Sequence, residues 1–191
     1  LAIVGYANSH VYSASGGATQ TGSSASGDRP ASSPFFVSSN TGYRATNTTA
    51  TVTCANVTGL GAYYSKQVTL RLAAFSIGST SNGMDNGDLV TIAISLDGGT
   101  TYSDELEVEG NGNAYWSYTG GTGVASNTYD GNNSPTNFQT GGGGNRTTDG
   151  YSTMTVNLPE SATQVRVRIT MLNSSTSEAW LIDDVKVTGF T

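Results

Sequence analysis

The sequence predicts an all-β protein: an antiparallel β-sandwich of jelly-roll type with an extended N-terminal arm. Two patterns carry this. Apolar and polar residues alternate with period 2 along one segment after another, and Gly, Asn, Asp, Ser and Thr clusters separate those segments. No helical periodicity competes with them, and a chain with 25 Gly and only 12% charged residues has few strong helix formers. Its 191 residues suffice for one domain with a sizeable core.

From the N-terminus, residues 1–13 (LAIVGYANSHVYS) are apolar and aromatic enough for one or two short strands. Residues 14–33 are small and polar without periodicity, the composition of a flexible linker. The sandwich domain is expected over 34–191, opening with PFFVSS and TATVTC. In KQVTLRLAAF the inward set is Val68, Leu70 and Leu72, and in DLVTIAISLD it is Val90, Ile92, Ile94 and Leu96. In YSTMTVNLP it is Met154, Val156 and Leu158. QVRVRITML sends Val165, Val167, Ile169 and Met171 one way and Arg166 and Arg168 the other. The last strand, AWLIDDVKVTGF, aligns Leu181, Asp183, Val185 and Val187 on one face. One buried face per strand implies antiparallel sheets on a common core. The Gly110–Gly150 stretch reads as a long functional loop or as strands without a clear pattern.

A formal net charge of −6 argues against nucleic acid, whose phosphates need a basic patch, and no apolar run is long enough to insert in a membrane. Scarce Lys, one Cys and abundant Ser, Thr, Asn and Gly point to an extracellular, secreted or cell-surface protein. Cys54, in TATVTC, reads as a small buried apolar residue.

Catalytic chemistry finds little support. The one histidine, His10, lies on the arm, and neither G-x-S-x-G nor H-E-x-x-H occurs. Asp104, Glu105, Glu107 and Glu109 form an acidic run that reads as a solvated face. The expectation is a non-enzyme.

SLDGGTTY at 95–102 fits the Asp-box pattern S-x-D-x-G-x-T-aromatic, known from sialidase-like propellers. A single copy builds no propeller, so it reads as a hairpin turn in which Asp97 caps the two glycines and Tyr102 packs beneath. NGMDNGD at 82–88 gathers Asp85 and Asp88 on a tight Asx-rich loop, and oxygen-only donors of this kind suit Ca²⁺. Asp183 and Asp184 sit mid-strand, where an inward carboxylate needs a partner or a metal, so these four residues are the candidate calcium ligands. Tyr115, Trp116, Tyr118, Tyr129 and Tyr151 are candidate sugar-stacking aromatics, against the alternative that they fill the core. Five N-x-S/T sequons, at Asn47, Asn56, Asn132, Asn145 and Asn173, are candidate glycosylation sites.

NGMDNGDLVTIAISLDGGTTYSDEL, NAYW and the closing SEAWLIDDVKVTG resemble jelly-roll modules of bacterial secreted surface proteins. They also resemble carbohydrate-binding and MAM-like sandwiches that end in an IDDV strand. The resemblance covers roughly residues 34–191. It implies an accessory or structural domain, often with calcium holding the terminal strands together.

The arm supplies the leading functional expectation. Twenty linker residues, 14–33, extend to some ~60 Å at about 3.3 Å each, beyond the roughly 40 Å diameter of such a domain. Leu1, Ile3, Val4, Tyr6, Val11 and Tyr12 could thus enter the open sheet edge of an identical subunit, and head-to-tail repetition would build a fibre. The alternative expectation is a carbohydrate-binding or adhesive module that takes glycans through the aromatics of 110–151, in company with a secreted enzyme.

Overall fold

The computed structural model describes residues 1–5, 11–141 and 149–191. Tyr6, His10, Asn145 and Gly142–Gly144 of the GGGG run lie outside them. The chain forms two sheets packed face to face. One contains β4 (Gly42–Ala45), β7 (Tyr64–Ser76), β12 (Tyr151–Asn157) and β14 (Glu178–Phe190). The other contains β5 (Thr48–Cys54), β8 (Leu89–Ser95), β9 (Ser103–Glu109) and β13 (Gln164–Asn173). Their antiparallel pairs are nested in sequence: β4 with β14, β5 with β13, β7 with β12, β8 with β9. β7–β14 and β8–β13 then join the pairs within each sheet, which is a long hairpin wrapped into a jelly roll.

Alternation decides the inner faces. Val68, Leu70, Leu72, Val90, Ile92, Ile94, Met154, Val156, Val165, Val167, Ile169 and Met171 all lie in one core, together with Trp116 and Trp180. Cys54 joins that core, and burial pushes its thiol up to about 12. It is a packing residue, as its strand context predicts.

The N-terminal segment corrects the donor-strand reading. β1 (Ala2–Gly5) pairs with the chain's own β14, Ala2 opposite Gly189 and Ile3 opposite Thr188, and Val4 packs on the core. β2 (Val11–Ser15), which carries Val11 and Tyr12, pairs with β5, and β3 (Ala18–Gln20) pairs with β4. β1 and β2, expected to seek another subunit, thus pair within the chain itself, while Leu1 and Ile3 stay exposed. Residues 14–33 are no free linker either. Ser24 N donates to Ser33 O at 3.0 Å, Phe35 N to Gly22 O at 3.0 Å, and Arg29 and Ser76 exchange two backbone bonds of 2.8 Å. PFFVSS forms no strand but crosses the outer face of the β14 sheet. There Phe35 meets Phe75 (centroids 5.3 Å apart) in a second cluster with Ala73, Tyr118, Ala179 and Leu181.

Two further departures matter. The 110–150 segment contains β10 (Gly123–Thr128) and β11 (Thr136–Gln139), which add parallel edges to β12 and β9, so the sheets are mixed rather than antiparallel throughout. In β14, Asp184 takes φ 57° and the register slips between Asp183 and Lys186. This bulge reverses the alternation. Leu181 and Asp183 face outward, whereas Val185 and Val187 enter the core.

Candidate functional site

The outer face of the β5–β13–β8–β9 sheet is mostly polar, with Leu89 and Leu172 facing each other at one end. Strand register places Ser15, Thr51, Thr170, Thr91, Glu107 and Asn137 in one row across six strands. The adjacent row runs Thr53, Arg168, Ala93 and Asp104. Asp104 reaches this face because the register between β8 and β9 slips at Glu105. Without that extra residue Asp104 would share the inward side of Leu106. Glu105 consequently leaves the solvated run. It is buried, and its carboxylate accepts Asp130 N and Gly131 N, both at 3.1 Å.

Ala93 has a small side chain between two long ones, and a cleft of about 330 Å³ opens here, lined by Thr51, Thr91, Asp104, Arg168 and Thr170. Arg168 Nη2 stands 3.9 Å from Asp104 Oδ1, too far for a direct hydrogen bond. Its guanidinium lies 4.3 Å from the centroid of the Tyr102 ring, a cation–π contact. Tyr102 is held there by the Asp-box turn. Asp97 accepts Thr100 N and Thr101 N at 3.0 Å and the Thr101 hydroxyl at 2.7 Å, while Gly98 and Gly99 take φ 79° and 101°. These hydrogen bonds from Thr101, Ser95 and Thr100 hold the Asp97 carboxyl well below its ordinary range. The cleft therefore combines a cation, a carboxylate and three hydroxyls.

The aromatics named from the sequence are elsewhere. Trp116 is fully buried, its ring 5.6 Å from that of Trp180 in a T-shaped pair. Tyr118 is buried under the 34–41 segment, where burial, then Asp183, raises its phenol well above 10. Tyr115 is buried, and Tyr129 and Tyr151 pack against the core from its edge. Trp116 and Tyr118 are thus core side chains, while Tyr129 and Tyr151 are partly buried at the core's edge.

The four aspartates divide between two unconnected networks. Asp85 Oδ1 accepts Asn113 N at 3.1 Å; Asp88 Oδ2 accepts Asp85 N at 2.8 Å and its Oδ1 accepts Ser174 N at 3.1 Å. Asp183 accepts Val37 N (2.6 Å), Ser38 N (3.2 Å) and Asp184 N (2.6 Å), while Asp184 takes the Ser38 hydroxyl at 2.8 Å and pairs with Lys186. Backbone amides and an ammonium fill the places that a cation would need. Among the described residues no three His, Cys, Asp or Glu side chains form a metal-holding group. The residues present do not fit the calcium site drawn from the sequence.

Glu178, which the sequence reading passed over, is buried beside Asp88. Burial, then the charges of Asp88 and Asp85, push its carboxyl up to about 7 from an ordinary 4.5. Between those values the folded chain keeps a proton that the unfolded chain releases. The stabilisation is therefore full below about 4.5 and is lost as pH rises through about 7. The melting temperature should fall over that interval, and Glu178→Gln should flatten the fall. A thermal melt series at fixed ionic strength checks both.

Of the sequons, Asn47, Asn56 and Asn132 are exposed. Asn173 is buried, with Oδ1 accepting Asn47 N at 2.7 Å, so it is closed to glycosylation. The sequon pattern carries no burial information, which is why this site looked open. Among the described residues no helix is long and apolar enough to cross a membrane.

No known family matches this sequence, and no curated protein matches it. Among solved structures, the chain is similar to TmCBM61 in complex with β-1,4-galactotriose, with 10% identity over 92% of this chain and 89% of that one, at a TM-score of 0.43. It is also similar to the K2 cleaved adhesin domain of Lys-gingipain, with 17% identity over 79% and 73% of the two chains and a TM-score of 0.39. An exo-β-agarase structure aligns at 9% identity and a TM-score of 0.37 over 95% of this chain but 23% of its own. These likenesses are too distant to transfer a ligand or a residue role.

Proposed function

We propose that this is a non-catalytic, extracellular glycan-binding or adhesive module whose ligand lies across the outer face of the β5–β13–β8–β9 sheet. The carrying observation is the cleft over Ala93, where Arg168 and Asp104 stand 3.9 Å apart between the hydroxyls of Thr51, Thr91 and Thr170. A sugar presents adjacent hydroxyls that both donate and accept. Arg168 can only donate, Asp104 can only accept, and threonines do either, so one ring can satisfy all of them. The polar row through Glu107 and Asn137 would extend the contact along further sugar units.

Titration calorimetry after a glycan array tests this reading. Arg168→Ala and Thr170→Ala should each weaken the best glycan at least tenfold. Both are surface changes, so stability should move by no more than about 0.5 kcal/mol. A wild-type protein that binds no glycan, or an Arg168→Ala variant that binds as well as wild type, overturns the proposal.

A further inference from the structure

A second pocket lies on the other sheet, around Arg44. β2 belongs to one sheet and β3 to the other, and the chain crosses between them at Gly16–Gly17. Only glycines allow this path. Gly16 has φ 82°, and a Cβ there would stand 2.3 Å from Thr49 O; a Cβ on Gly17 would stand 2.5 Å from Arg44 O. The close crossing leaves a pocket of about 280 Å³ lined by Gly16, Gly17, Ala18, Gln20, Arg44 and Thr46, the size of a single small ligand.

Arg44 is the one charged residue in that lining, and its charge is poorly answered. Its Nη1 makes a long 3.4 Å bond to Gln20 Oε1, and its Nε is shut away from solvent with no partner. Among the described residues it forms no salt bridge. The carboxylate acting on it, Asp28, already accepts Ala25 N and Gly78 N, each at 2.8 Å. A guanidinium closed off behind and open to a pocket in front needs its counter-charge from the pocket side. Planar carboxylates match the guanidinium fork.

We propose that the Arg44 pocket binds a small carboxylate, of the kind carried by a uronic acid or by a peptide C-terminus. The site is separate from the Arg168 cleft and stands whether or not that cleft binds glycans.

The test is NMR titration of the wild-type protein with glucuronate, with a short peptide bearing a free C-terminus, and with glucose as the neutral control. Saturable shifts of the Gly16, Gly17 and Ala18 amides with either carboxylate are expected, and the stronger responder identifies the source. Amidating the peptide or esterifying the glucuronate should abolish the response, a control that needs no variant. Arg44→Ala should weaken binding at least tenfold, Arg44→Lys should weaken it less, and Arg168→Ala should leave it unchanged. Shifts with neither carboxylate, or equal shifts with glucose, overturn the proposal.

Discussion

Replacing Trp116 with alanine is expected to lower the unfolding free energy by about 3–5 kcal/mol, the usual cost of emptying a large aromatic site. The indole is enclosed on every side. Its Nε1 donates to Tyr151 O at 3.2 Å, and its ring meets Trp180, whose own Nε1 donates to Leu172 O at 3.0 Å. Gly150 is its floor: a Cβ there would lie 2.2 Å from Trp116 Cδ2, so no larger residue fits beneath the ring. Chemical denaturation measures the loss. In the fraction still folded, glycan affinity should match wild type, and Trp116→Phe should recover part of the stability. Lost glycan binding at unchanged stability would instead return the indole to the ligand site.

Asp183→Ala should cost about 2–4 kcal/mol, because three amides that it accepts lose their partner, two of them in the segment covering the outer face. Those are Val37 N and Ser38 N; the third is Asp184 N. Release of that cover exposes Phe35, Phe75 and Leu181. Hydrogen exchange should therefore accelerate at Val37 and Ser38 well beyond the change at core amides, and a hydrophobic dye should bind the variant. Asp183→Asn, which keeps an acceptor of the same shape, should lose less. Added calcium should not restore Asp183→Ala. Restoration by calcium, or unaltered exchange at Val37 and Ser38, would remove Asp183 from this structural role.

The core was readable because alternation is a local property. Val68, Leu70 and Leu72, or Val165, Val167 and Ile169, declare their buried face without knowledge of any partner strand. The same rule misplaced Leu181, Asp183 and Glu105, since a bulge is one extra residue measured against the opposite strand, and the sequence does not say which strand that is. The Arg168 side of β13 was legible as the polar face. Its meeting with Asp104 was not, because that contact depends on the slip at Glu105 and on the small residue between them. The Gly110–Gly150 aromatics misled for a related reason: Trp116 sits in a glycine-rich stretch that resembles a loop, yet those glycines are what lets the backbone close around the ring.

Composition and period-2 patterning by themselves determined an all-β sandwich, its inward residues away from the two bulges, the buried cysteine and the turn at Asp97. Only the tertiary structure decided where β1, β2 and β3 pair, which carboxylates meet amides rather than each other, and which polar face is hollow. The physical reason is range. Alternation and turn chemistry act between neighbours in the chain, whereas strand partners and clefts are set by contacts such as Asp183 with Val37, 146 residues away. The entropy of closing such loops is offset only by the whole packed core.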